Sequence, residues 1–133
     1  MLDNHYHVWH YSGMSVSEPP QAVRTWTAQL KKGLVELCVM GALKDGETYG
    51  YEILRHLKDH ADQLAITESA VYPILARLAK EGLVQVRAAP SPAGPARRYY
   101  RLTGPGWRRL IEMREYWKNL STAVDGLVLG DKP

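Results

Sequence analysis

Between Ser69 and Leu102 the apolar residues change their period once, and they do so across a single glycine. In "SAVYPILARLAKEGLV" the spacing Val71, Leu75, Leu78, with Ile74 beside them, sets one apolar helix face, and Gly82 marks its stop. Beyond Gly82, Val84, Val86 and Ala88 alternate with Leu83, Gln85 and Arg87, which is the period of a strand. "APSPAGP" sustains neither helix nor ladder and makes a long hairpin tip. "ARRYYRL" returns as a second strand, with Arg98, Tyr100 and Leu102 on one side and Arg97, Tyr99 and Arg101 on the other. A helix that runs straight into a hairpin leaves few ways to build a core.

The flanking segments supply the partners. From about Trp26 to Leu43 the spacing Leu30, Leu34, Leu37, Gly41 marks one helix face, widened by Val35, Val39 and Met40. "KDGE" breaks that pattern as a turn. Thr48 can then cap a second helix, where Leu54, Leu57 and Ala61 recur, before "DHADQLAI" returns to a loop. After the hairpin, Thr103 and Pro105 open a last helix, since proline in a first turn removes no needed bond. The expected fold class is mainly α, an α+β winged helix: a three-helix helix-turn-helix core, a two-stranded wing and a long C-terminal helix. Its parts are an N-terminal extension over 1–25, a winged-helix unit over 26–103 and a C-terminal helix over 104–130.

That last helix carries a further message. Leu110, Met113, Trp117, Leu120, Val124 and Leu127 step alternately by three and four, the seam of a helix that pairs with another helix. The domain's own core could absorb such a face, but a three-helix core has little surface left to cover it, so the seam is expected to form a homodimer. Trp117 sits mid-seam, either as an interface anchor or, paired across the dimer axis, as the wall of a pocket for a planar aromatic or apolar effector.

Composition excludes several classes. One cysteine, Cys38 in the apolar run "LVELCVMGAL", allows no intrachain disulfide and no zinc ribbon. No stretch approaches the roughly 18 consecutive apolar residues of a membrane span, so a cytoplasmic protein without membrane contact is expected. No glycine-rich phosphate loop, paired apolar carboxylate or nucleophile motif is present; no catalytic residue and no cofactor are expected. The net charge of +3 says less than its distribution. From Val86 to Leu110 there are six arginines (Arg87, Arg97, Arg98, Arg101, Arg108, Arg109) and no acid, an arrangement suited to a polyanion.

The stretch Lys31 to Thr103 resembles the PadR family of transcriptional regulators. "KKGLVELCVMGAL" is similar to that family's first helix, "YGYEI" to the start of its second, "SAVYPILARLAKEGLV" to its recognition helix and "GPARRYYRLT" to the return strand of its wing. The resemblance implies a dimeric winged-helix protein that binds double-stranded DNA, usually as a repressor released by a small molecule. Many members have Gly-Thr-Leu where this chain has Ser69-Ala70-Val71. The threonine hydroxyl is thus missing at Ala70, and Ser69 is the neighbouring hydroxyl able to stand in.

Helix-turn-helix geometry points to the same residues. The second helix of the pair enters the major groove, N-terminal residues foremost. With Val71, Leu75 and Leu78 inward, Ser69, Ala70, Tyr72, Pro73, Arg77 and Lys80 lie on or near the outer side. Ser69 and Tyr72 offer hydroxyls to phosphate. Arg77 reaches either a guanine or phosphate, or else pairs with Glu81 at i+4. Arg97 and Arg98 flank the wing tip and face opposite ways, so one of them should make the closer contact. Tyr99 and Tyr100 are expected in packing, and Tyr49 either packs or touches the DNA backbone.

Pro73 needs an explanation of its own. If Ser69 caps the helix, the proline falls where an N–H lacks a partner anyway; if Thr67 does, it is the sixth helical residue and should kink the helix. Two rival functions are compatible with the same residues. Glu52, His56 and His60, at i, i+4 and i+8, could make a metal-responsive regulator, although no metal site is expected, and His5, His7 and His10 are taken as incidental. A winged helix can also serve protein contacts or RNA.

Overall fold

The computed structural model describes residues 20–130. A 3-10 turn at Gln21–Val23 leads into α1 (Arg24–Gly41). Then come β1 (Thr48–Tyr49), α2 (Gly50–Ala61), a 3-10 turn (Asp62–Leu64), α3 (Glu68–Lys80), β2 (Val84–Ala89), β3 (Arg97–Leu102) and α4 (Gly104–Val128). This is the winged-helix order, with two adjustments. The first helix begins at Arg24, slightly earlier than the apolar spacing places it. The wing has three strands rather than two, because Thr48 pairs with Tyr100 and Tyr49 with Tyr99, giving the antiparallel order β1-β3-β2. Thr48 therefore lies in a ladder and does not cap α2; Tyr49 holds the N-cap position, without a side-chain bond.

The core collects the inner faces. Val39, Met40 and Leu43 from the first helix and the residue pair just beyond it meet Ile53 and Leu57 of α2 and Val71, Leu75 and Leu78 of α3. Val84, Tyr100 and Leu102 close it from the sheet. Each buried aliphatic side chain of this kind contributes about 1.5–3 kcal/mol. The switch of period at the end of α3 is a Schellman turn: Leu83 N–H donates to Leu78 C=O at 2.9 Å and Gly82 N–H to Ala79 C=O at 3.1 Å. Gly82 takes φ +79°, which a side chain would strain.

Thr103 fastens the far end of the hairpin. Its hydroxyl accepts from Gly106 N–H at 3.1 Å, capping α4, and donates to Gly82 C=O at 2.7 Å. Its own N–H donates to Leu83 C=O at 3.0 Å. One residue thereby joins the turn after α3 to the start of α4.

The heptad-like seam divides in the structure. Leu110 is 4% exposed and belongs to the chain's own core, with Met113 packed against that core. Leu110 is thus corrected from interface to core: starting at the Thr103 cap, the first turns of α4 pack on α1 and β3 and bring Leu110 into the core. Trp117, Leu120 and Val124 are 40%, 42% and 46% exposed, and Leu127 more so. None of these four belongs to the core or packs against it.

Candidate nucleic-acid interface

The hydroxyls before α3 decide how the helix begins. The N–H groups of Ala70 and Val71 both donate to Thr67 C=O at 3.0 Å, so Thr67 is the N-cap residue and Ser69 is the second helical position. The Thr67 side chain makes no cap bond; its Oγ1 lies 3.0 Å from Ser69 Oγ instead. Pro73 is accordingly the sixth helical residue, yet the helix runs from Glu68 to Lys80 as one element. Having no N–H, Pro73 leaves Ser69 C=O without its usual i+4 donor, close to the end of the helix that faces outward.

The inward residues Val71, Leu75 and Leu78 fix the azimuth of α3. Helical geometry then puts Ser69, Pro73, Ala76 and Lys80 along the opposite side, and all four are exposed. Ala76, a small apolar residue, gives no chemical signal in the sequence. Ala70 is half-buried.

Tyr72 lies on one flank of that stripe and turns toward α2. Its ring packs so closely on Gly50 that a Cβ there would sit 2.2 Å from the tyrosine oxygen and 2.8 Å from two ring carbons. Partial burial raises the Tyr72 pKa, with Glu68 and Tyr100 adding to the effect. The group therefore stays a neutral O–H donor at physiological pH, suited to a phosphate oxygen. Together with Tyr49, Gly50, Tyr51, Ala96, Arg97, Arg98 and Tyr100 it lines an open groove of about 710 Å³ between α3 and the wing. Gly50 and Tyr51 both stand inside "YGYEI", where only their place beside Tyr72 and the wing gives them a role.

The arginines turn out unequal. Arg87 is bound by both oxygens of Glu47, at 3.0 and 2.7 Å, and this pairing lowers the Glu47 pKa. Arg109 stands 3.8 Å from Glu36, and Arg101 donates to Gln85. The acid-free segment is thus partly compensated after all, by glutamates that sequence distance hides. Arg97 lies over the Tyr49 ring at 4.4 Å from its centroid, Tyr49 meets Tyr99 edge-on at 5.6 Å, and Arg87 covers Tyr99 at 5.0 Å. Tyr49 is a packing residue on the outer face of the sheet, its hydroxyl 3.5 Å from Glu52. Tyr100 is buried in the core and Tyr99 half-buried. Among the described residues, the side chains of Arg98 and Lys80 make no ion pair or hydrogen bond.

Arg77 does not stand free. Its guanidinium donates to Glu36 of α1 and, at 3.3 Å, to Glu81. The i+4 pair expected from the sequence is present, and a second acid 41 residues away joins it.

The histidine alternative loses its third member. His56 and His60 stack at 5.3 Å, and His60 Nδ1 lies 3.0 Å from His56 C=O. Glu52 is taken by Arg55 at 2.8 Å. Among the described residues no three His, Cys, Asp or Glu side chains converge as metal ligands. His5, His7 and His10 lie outside the described residues. No helix among the described residues is long and apolar enough to cross a membrane.

Comparison with known proteins gives a consistent result. Residues 39–112 match the model of the transcriptional regulator PadR-like family. A PadR-like transcriptional regulator from Bacillus cereus is 35% identical, with a TM-score of 0.68, over 77% of this chain and 99% of that one. A PadR family transcriptional regulator from Eggerthella lenta superposes with a TM-score of 0.70 at 28% identity, over 83% of this chain and 95% of that one. The structure of Bacillus subtilis PadR in complex with operator DNA is also similar, at 27% identity and a TM-score of 0.56, over 60% of this chain and 46% of that one.

Proposed function

The chain belongs to the PadR-like family of transcriptional regulators, and from that membership we propose that it is a cytoplasmic, homodimeric repressor that binds a near-palindromic operator and is released by a small molecule. A family of transcription regulators is a family of DNA-binding proteins and not of enzymes, in keeping with a sequence that carries no catalytic motif.

The observation that carries the DNA-binding reading is the groove between α3 and the wing. Unpaired Arg98, stacked Arg97 and the Tyr72 hydroxyl all border it, beside the exposed stripe of α3. In this reading Ser69, Ala70, Pro73 and Lys80 follow the major groove, while Tyr72 and the wing hold the phosphate backbone. Arg98 makes the closer wing contact, because Arg97 is already engaged by Tyr49. Tyr49 acts through Arg97 and not directly.

Dimer formation accounts for the uncovered part of α4. Residues 26–103 form the DNA-binding unit and 104–130 the pairing helix, with Met113, Trp117, Leu120, Val124 and Leu127 meeting their counterparts, Leu110 having gone to the core. Two Trp117 rings near the axis would wall a pocket for a planar apolar effector. Release follows if that ligand favours a spacing of recognition helices that no longer matches the half-sites.

The test is selection of bound fragments from the source genome, followed by footprinting. Protection of two half-sites about one helical turn apart, at moderate salt, is the expected result. The absence of any protected palindrome refutes the reading.

A further inference from the structure

Arg77 leaves the recognition helix on the flank that faces α1 and α4, away from Tyr72. Glu36 of α1 takes its guanidinium with one carboxylate oxygen and stands 3.8 Å from Arg109 of α4 with the other. Glu81 closes the set at 3.3 Å. Two arginines and two glutamates thus cancel beside the helix that we assign to the major groove. The Arg77 side chain is 46% exposed, so pairing, and not burial, keeps it from reaching outward. Ion pairs this exposed add little to folding stability, and none of these four side chains belongs to the core.

A free arginine on that flank would neutralise a phosphate of any sequence, and phosphate contacts carry affinity without information. We infer that Glu36 is a specificity-determining residue: it holds Arg77 back from the DNA backbone and so lowers sequence-independent binding. Lys80 and Arg98, which have no such acid among the described residues, are left to engage the duplex. The inference rests on the DNA-binding reading above.

The substitution Glu36→Gln removes the charge and keeps the shape. Binding of the full chain to a random-sequence duplex is followed by fluorescence anisotropy across a salt series, for wild type, Glu36→Gln, Arg77→Ala and the double variant. Glu36→Gln should steepen the slope of log K against log salt by about 0.9, an additional loss of roughly 3.5-fold between about 50 and 200 mM. The ratio of operator to random affinity should fall with it. The double variant should return to the wild-type slope, and Arg77→Ala alone should leave the slope unchanged. An unaltered slope in Glu36→Gln, or a gain that survives Arg77→Ala, overturns the inference. So does a slope shallower by about one phosphate in Arg77→Ala alone, an arm that decides the matter even if Glu36→Gln fails to fold. A wild-type chain with no salt-dependent affinity for any duplex overturns the DNA-binding reading as well. Wild-type binding with an indifferent Glu36→Gln overturns only the role of Glu36.

Discussion

Replacing Gly50 by alanine probes the contact that turns Tyr72 into the groove. The new Cβ would meet the tyrosine oxygen at 2.2 Å and two ring carbons at 2.8 Å, well inside van der Waals contact. Overpacking on this scale costs about 1–3 kcal/mol when the neighbours cannot move. Here Tyr72 is 40% exposed and its far end can swing aside, so the low end of that range applies. Set against it is the loss of unfolded-state freedom on going from glycine to alanine, which stabilises by about 0.4–1 kcal/mol where the backbone permits. Gly50 is not among the residues with positive φ, so the backbone does permit it. The net destabilisation should therefore be small, about 0–0.6 kcal/mol. In a Tyr72→Ala background the clash disappears and the same substitution should stabilise by about 0.4–1 kcal/mol. Urea unfolding of the four proteins at one protomer concentration gives the coupling, expected at about 1 kcal/mol or more. An equal effect of Gly50→Ala in both backgrounds would refute the steric argument. Loss of operator affinity in Gly50→Ala without loss of fold would tie Tyr72 to the interface.

Other outcomes follow from contacts already described. Arg98→Ala should weaken operator binding and make its salt slope shallower by about 0.9, the contribution of one phosphate contact; Arg97→Ala should do less, and the reverse order would exchange their roles. Val124→Asp places a charge on the uncovered stripe of α4 and should leave a monomer in sedimentation at micromolar concentration, with unchanged helix content by circular dichroism. A wild-type chain that sediments as a monomer removes the dimer altogether. Glu47 has its pKa lowered by the bond from Arg87, so its contribution to stability is present above the ordinary glutamate range and is lost as pH falls through the depressed value. Glu47→Gln should lower the melting temperature at pH 7 and lose that effect progressively as the pH is taken down below the ordinary glutamate range; an effect that does not diminish in acid would assign it to packing.

Much of this molecule was legible because its signals are local. The period of Val71, Leu75 and Leu78, the stop at Gly82, the alternation through "RRYYRL" and the Thr103–Pro105 start each lie within a few residues, and each element formed where they stand. What sequence could not supply was separated along the chain. Strand β1 has two residues, too few to show a period, and exists only because β3 offers it an edge. Glu36 and Glu47 stand 41 and 40 residues from the arginines they neutralise. Gly50 is informative only once Tyr72 is seen against it. Leu110 begins the same seam as Trp117, and nothing in the spacing tells where the chain's own core ends. The cap was ambiguous for a different reason: Thr67 and Ser69 are both good caps, and the backbone bonds to Thr67 C=O decide between them.

The joint at Thr103 has a mechanical consequence. Because its hydroxyl and amide tie Gly82 and Leu83 to the first turn of α4, the recognition helix and the long helix cannot rotate independently about the hairpin. In a dimer joined through α4, the 25 residues of that helix form a rod of about 37 Å. A tilt of only about 5° at the paired end would then swing the opposite end by about 3 Å over that length. In the effector reading proposed above, a small ligand wedged between two such rods would need neither to touch DNA nor to deform the winged helix in order to put the two reading heads out of step.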